Sequence, residues 1–310
     1  MARRETSLSR KIRNISLAST ALLALALAVA PMAFACTLWG AAGEKVEGGG
    51  TLIAKNRDWA PNQTQELRRI VPQEGFRYLG LFASDEEGTG LKAGINERGL
   101  TIVTATAAVI PSEKRGTPSR QTISSAEILK TCSTVDDVLS QLDRFTHACY
   151  YLVADKDKVA VIEVAPGRKP TVRITENGTI AQTNHYLGEE MRILNKKVSA
   201  SSRKRYERIQ SLLSGDPDGF SLDDFVAFSE DRNAGPDNSI YRTGSTPTRS
   251  RTLATWIIEN PAEGTPCLYV RVANPDKPQK TMRLSLDETF WRGSRPGDKA
   301  SGKTEESPTA

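Results

Sequence analysis

Short apolar runs punctuated by Gly and Asn open the chain, and longer periodic stretches occupy its middle. Residues 51–56 follow the Gly48-Gly49-Gly50 turn and read as a strand, as do 76–83, 91–95 and 100–107. Asn96-Glu97-Arg98-Gly99 is a hairpin turn between the last two, with Gly99 free to take positive φ. Residues 124–142 place apolar side chains at Ile128, Leu129, Val135, Val138, Leu139 and Leu142, the spacing of a helix. Strands at 150–154 and 159–164 pair across Asp155-Lys156-Asp157-Lys158, and 171–174 and 179–183 continue that sheet. A basic amphipathic helix spans 202–213 and a shorter one 222–229, followed by late strands at 252–259, 267–273 and 282–286. Short hairpin connections predict mostly antiparallel sheets, so the fold class is α+β. There is no internal repeat, no phosphate-loop glycine pattern and no cysteine pair at zinc spacing.

The first residues have a different logic. A basic stretch ends at Arg13, an apolar run fills 15–30, Pro31 breaks it, and Ala33-Phe34-Ala35 follows. That is the three-part pattern of an export signal cleaved after Ala35. The dense apolar part is short for a membrane span, which needs about 20 residues. Three segments are therefore expected: a signal peptide over 1–35, a catalytic domain over 36–291, and a disordered tail over 292–310. The mature protein would be periplasmic or secreted, with no membrane attachment once cleaved.

Charge changes the picture only at that end. The chain carries 42 Lys and Arg against 37 Asp and Glu, a net charge of +5. Residues 1–35 account for +4 of it, leaving 37 basic against 36 acidic residues. The case for a nucleic-acid partner disappears with the signal. Two histidines in the whole chain disfavour a His-rich metal site or a histidine relay, and neither metal nor cofactor is expected.

Cleavage after Ala35 leaves 275 residues beginning with Cys36. A thiol attacks as thiolate, and something must take its proton. The α-amine freed on the same residue has an ordinary pKa of about 7.7–8.0, so one residue can supply both nucleophile and base. A lipidated cysteine is the competing reading. Lipoprotein signals usually carry Leu three residues before the cysteine and a small residue between; Ala33 and Phe34 stand there instead.

Cys36-Thr37-Leu38-Trp39-Gly40, with Leu52-Ile53-Ala54-Lys55-Asn56-Arg57-Asp58-Trp59, resembles the opening of N-terminal-nucleophile hydrolases of the choloylglycine hydrolase and penicillin V acylase type. It resembles still more the acyl-CoA:6-aminopenicillanic acid acyltransferase family. Residues 93–100, 150–164, Gln182-Thr183-Asn184-His185, Asn238-Ser239-Ile240-Tyr241-Arg242 and Arg251-Thr252-Leu253-Ala254 resemble later family segments in the same order. The resemblance implies a four-layer αββα sandwich of two mostly antiparallel sheets. It implies an exported amidase or acylase of linear amide C–N bonds that forms a thioester at Cys36, or an acyl-transferring variant of it. Asp58 would hold the Cys36 amine, Asn184 would meet the oxyanion, and Arg251 would lie near the nucleophile, with Arg242 and Arg249 as alternatives. Lys55, Arg57, Trp59 and Thr106 would contact a small-molecule amide substrate. A homo-oligomer stays open.

Two other functions compete: an exported dipeptidase of the same nucleophile class, and a lipid-anchored periplasmic binding domain using Cys36 only as an anchor. Individual residues have plainer readings too. Arg203-Lys204-Arg205 reads as a solvated helix face. His185 reads as a backbone partner, though it is the next candidate should the base not be the amine. Cys132, Cys149 and Cys267 are buried thiols or hold one disulfide.

Overall fold

The computed structural model describes residues 35–86, 88–116, 121–215 and 218–293. The expected signal before Ala35 and the expected tail from 294 lie outside the described residues. Among the described residues no helix is long and apolar enough to cross a membrane.

Thirteen strands form among the described residues, in two antiparallel sheets. The six-stranded sheet holds β1 (Thr37–Ala42), β2 (Gly50–Trp59), β10 (Gly178–Gln182), β11 (Arg251–Pro261), β12 (Cys267–Val272) and β13 (Lys280–Ser285), in the order β10-β1-β2-β11-β12-β13. The seven-stranded sheet runs in sequence order through β3 (Thr64–Ile70), β4 (Tyr78–Asp85), β5 (Gly88–Asn96), β6 (Thr101–Thr106), β7 (Cys149–Ala154), β8 (Val159–Glu163) and β9 (Thr171–Thr175). The turn between β5 and β6 places Gly99 at φ +85°, the left-handed conformation only glycine takes without strain.

Alternation along the strands separates three apolar layers. Leu38, Ile53, Trp256 and Val270 of the first sheet meet Leu81, Ile95, Val103 and Leu152 of the second, which makes the inter-sheet core. Trp39, Leu52, Ala54 and Ile257 point the other way, onto α3 (Ala200–Leu213) and α4 (Leu222–Ser229) through Ile209, Leu213 and Phe225. Ile102, Tyr151, Val153 and Ile162 cover the outer face of the second sheet beneath α1 (Ser125–Thr131) and α2 (Val135–Leu139). The order is helices, sheet, sheet, helices: the αββα sandwich.

Four local expectations are corrected. The single helix over 124–142 is two: α1 stops before Cys132, whose backbone is extended, and Thr134 restarts the chain with a capping box to Asp137. Strands β1 and β3 were not expected; their apolar positions are too few or too mixed to stand out. The strand at 179–183 does not continue the sheet of 171–174, because β10 crosses over to pair with β1, Leu38 opposite Gln182. The segment from 292 begins inside a helix, α5 (Glu288–Arg292), capped by the Asp287 side chain and seated by buried Trp291.

Trp256 is fully buried in the inter-sheet core. Trp256→Ala should lower the unfolding free energy by about 3–5 kcal/mol through lost transfer energy and the cavity left behind. Chemical denaturation of the two proteins checks this.

Candidate active site

Strand β1 lies between β10 and β2, so its first residues have a neighbour on each side. The ladders end with Thr37 opposite Asn56 on β2 and Leu38 opposite Gln182 on β10. Continuing both registers sets Cys36 between Arg57 and Asn184. Cys36 is 5 % exposed and belongs to the inter-sheet layer.

A pocket of about 330 Å³ opens there, lined from the first sheet by Cys36, Lys55, Arg57 and Trp59, and from the second by Lys92, Thr106, Cys149 and neighbours. The period-two rule explains the membership: Ile53 faces the inter-sheet core, and Lys55, Arg57 and Trp59 follow it on the same face. Lys55 donates from Nζ to the Lys92 carbonyl at 2.7 Å, tying the two sheets. Burial pushes the Lys55 ammonium down to about 8, opposed by the Cys36 sulfur. The Arg57 guanidinium donates from Nη2 to Gln63, while its Nε and Nη1 are buried without a partner.

Asn56 and Asp58 face the helix side. Asn56 is structural: its Nδ2 donates to the Ser229 and Ile240 carbonyls at 2.7 and 2.9 Å. Asp58 is fully buried and accepts from the Thr252 hydroxyl at 2.7 Å. A bulge in β11 between Thr252 and Ala254 makes this arrangement fit. Thr252 and Thr255 would face opposite ways in a regular strand. With one extra residue between them, Thr252 reaches Asp58 and Thr255 reaches Asn56 at 2.8 Å. Burial raises the Asp58 carboxyl to about 6, against the pull of Arg242, Arg205 and Arg57. Its Oδ2 has no hydrogen-bond donor; Arg242 Nη1 stands 3.9 Å away.

Asn184 joins the site two residues past the end of β10. Its Nδ2 donates to the Thr106 carbonyl at 3.0 Å, which uses one of two N–H bonds. Its Oδ1 accepts from Arg205 at 2.9 Å, and Arg205 Nη1 also donates to the Cys36 carbonyl at 2.6 Å and the Thr37 hydroxyl at 2.8 Å.

The structure thus brings Cys36, Lys55, Arg57, Trp59 and Thr106 to one pocket, with Asn184 joined through Thr106 and Asp58 behind the strand. It does not bring Arg251 there. Arg251 donates from Nη2 to the Thr246 and Pro247 carbonyls at 3.1 and 3.0 Å. Arg242 is the late arginine beside Asp58, and Arg205 is the one at Cys36. The solvated-face reading of Arg203-Lys204-Arg205 is corrected for its last member: Arg203 and Lys204 are exposed and Arg205 is fully buried. Heptad-style counting would have found it, since Ser202, Arg205 and Ile209 share one face of α3.

His185 is not in the pocket. Its Nδ1 contacts the Ser202 hydroxyl at 2.9 Å, and its ring meets Tyr206 edge-on. His147, at the pocket rim with Nδ1 2.6 Å from the Gly116 carbonyl, is the histidine that lines it. All four cysteines are free thiols, and burial raises Cys149 in the pocket wall to about 11. Among the described residues no three His, Cys, Asp or Glu side chains converge as metal ligands would.

Two antiparallel sheets stacked between helices, with a cysteine just before a strand that is paired on both sides, have the fold of the N-terminal-nucleophile hydrolases. The profile of the acyl-coenzyme A:6-aminopenicillanic acid acyl-transferase family matches residues 46–277, and the chain belongs to that family. Two structures of variants of the conjugated bile acid hydrolase from Clostridium perfringens share the fold, with TM-scores of 0.52 and 0.50. Each is 15 % identical and covers 87 % of this chain and 97 % of its own. No curated protein matches the sequence.

Two outcomes follow from buried groups here. Burial, then Arg205 and Arg203, push the His185 imidazole from 6.5 to about 4. Between those values the unfolded chain holds a proton the folded chain does not, so stability rises with pH and is lost on acidification. His185→Gln should flatten that slope between about pH 6.5 and 4. Asp58, whose raised carboxyl acts in the opposite sense, is common to both proteins and cancels; urea midpoints across the window read the difference. Arg205→Met strands four buried acceptors, on Cys36, Thr37, Asn184 and Ser201, and should cost about 2–4 kcal/mol, whereas exposed Arg203→Met should stay within about 0.5. Equilibrium denaturation separates the two.

Proposed function

We propose that this chain is an exported cysteine amidase or acylase, matured by cleavage between Ala35 and Cys36. It would cleave a linear amide through a Cys36 thioester that water or an acceptor amine resolves. The observation that carries the reading is the buried Asp58 carboxylate whose Oδ2 lacks a donor beside the strand end at Cys36. Continuing the β1–β2 register past Thr37 opposite Asn56 sets Asp58 against the chain just before Cys36. An α-ammonium released there would supply the missing donor.

Each group then has a task. The α-amine takes the thiol proton, and Asp58 orients that amine. The sulfur attacks the substrate carbonyl, and the second N–H of Asn184 meets the oxyanion, a donor worth about 2.7–4 kcal/mol in the transition state. Arg205 fixes the Asn184 amide by occupying its oxygen, so that the nitrogen faces the Thr106 side. The α-ammonium returns its proton to the departing amine as the tetrahedral adduct collapses to the thioester. Trp59 and Lys55 line the space the substrate enters. The Clostridium perfringens relative, titled as a conjugated bile acid hydrolase, supports a small amide substrate by likeness of fold. A thiol turned into a pocket and 5 % exposed disfavours the lipid-anchor reading, since a lipid chain must leave the protein.

Mass analysis of the mature N-terminal peptide should find a free Cys36. After exposure to an N-acyl p-nitroanilide, the same peptide should carry the acyl group. Cys36→Ala should abolish the adduct, as should one extra residue before Cys36, which turns the amine into an amide. Asn184→Ala should lower kcat by about two to three powers of ten with little change in KM. A mature start elsewhere, a diacylglyceryl cysteine, or full activity with the extra residue would overturn the mechanism. In that last case His147, at the rim, is the histidine to test as base.

A further inference from the structure

The cations of the pocket are more numerous than an amide alone requires. Lys55, Arg57, Lys92 and Arg115 line it, and none of the described lining residues is acidic. We propose that Arg57 and Lys92, one from each sheet, form an anion subsite, so that the amide cleaved here carries a carboxylate. This rests on the amidase reading above and adds the charge of the substrate to it.

The guanidinium of Arg57 carries the argument. It is 2 % exposed, its face lies over the Trp59 ring with the centroid 5.1 Å away, and of its nitrogens only Nη2 is hydrogen-bonded, to Gln63. Nε and Nη1 are buried and without acceptors. Nη2 carries two N–H bonds and Gln63 takes one, so the other stands beside Nε or Nη1 and completes with it a fork that complements a carboxylate. Two acids act on Arg57 through space: Asp58, the stronger, lies on the other face of β2, and Asp85 is held back by Gln63, which passes its amide N–H to that carboxylate. Asp85 still acts on both cations through space, and it does not cancel them. The Lys92 ammonium is pushed below its ordinary value, first by burial and next by Arg57, so the two positive charges are close enough to repel. Arg115 adds charge at the other wall while its Nε is engaged with the Ile110 carbonyl at 2.9 Å. Positive charges fixed in place with unused donors are already desolvated before an anion arrives, which lowers the cost of binding one and favours it over a neutral ligand.

The carboxylate has two sources, the amine part or the acyl part of the amide. Two matched pairs of probes separate them: phenylacetylglycine with phenylacetylglycinamide, and glutaric acid monoanilide with its methyl ester. Binding of each to the Cys36→Ala chain is measured by calorimetry, so no chemistry is needed for the readout. The anionic member of at least one pair should bind about tenfold or more tightly than its neutral partner. Lys92→Gln in the same background should remove most of that preference while leaving the neutral ligand's affinity in place. Arg115→Gln, at the more open wall, gives a second variant should Lys92→Gln fail to fold. Equal binding within both pairs, or a preference that survives these substitutions, overturns the proposal. The amidase reading fails separately, through absence of the Cys36 acyl adduct in the unsubstituted protein.

Discussion

A β-strand turns successive side chains to opposite faces, and β2 runs through the centre of a sheet that is covered on both sides. Every other residue of its C-terminal half therefore enters the inter-sheet pocket, and the ones between enter the helix layer. Lys55, Arg57 and Trp59 go one way; Asn56 and Asp58 go the other. This single alternation divides the chemistry. The thiol of Cys36 opens on the cationic side, and the carboxylate proposed to hold its amine lies behind the backbone. The nitrogen of Cys36 belongs to the backbone itself, the one part of the strand that both faces can reach.

The division imposes an electrostatic problem that the fold answers with arginines. Asp58 is buried with nothing but one hydroxyl bonded to it, and burial alone would favour its neutral form. Arg242 from the loop before β11, Arg205 from α3 and Arg57 from β2 itself each draw it back toward ionisation. Arg205 in turn is pushed down to about 10 by its own burial and is held up by Asp58. Each of the two favours the charged form of the other. Such mutually dependent buried charges add little net stability, yet they fix one arrangement, because removing either leaves the other uncompensated.

How much of this was legible depends on how local the cause is. The strands of the second sheet other than β3, and most of α3 and α4, are written in short-range periodicity and turn residues and are legible to within a few residues. The break in the first helix was also local: Thr134 and Asp137 form a capping box that an uninterrupted apolar count passes over. What could not be read locally is the crossing of β10 to the other sheet. Gly178 to Gln182 looks like any hairpin partner of β9, and only the demand of β1 for a neighbour sends it away. Motif position favours Arg251 over Arg242. The bulge in β11 gives the residue opposite Asp58 to Thr252 and leaves Arg251 at the strand end, bonded to its own loop. Lys92 and Arg115 carry no motif at all; they meet Arg57 only once two sheets are stacked.

The family profile begins at residue 46, ten positions after the cysteine on which the proposed chemistry depends. The two facts are compatible because folding and maturation make different demands on that end. The β1 ladders begin at Thr37 on one side and Leu38 on the other, so a cut before Cys36 removes no strand pairing from either. The sheet order, the bulge opposite Asp58 and the contact of Arg205 with the Cys36 carbonyl are all present with the chain uncut. What a cut alters is a single nitrogen. As a peptide amide its lone pair is delocalised and cannot accept a proton; as an amine it is a base with a pKa near 8. On the reading proposed here, the fold prepares every partner of that nitrogen in advance, and cleavage supplies only its basicity.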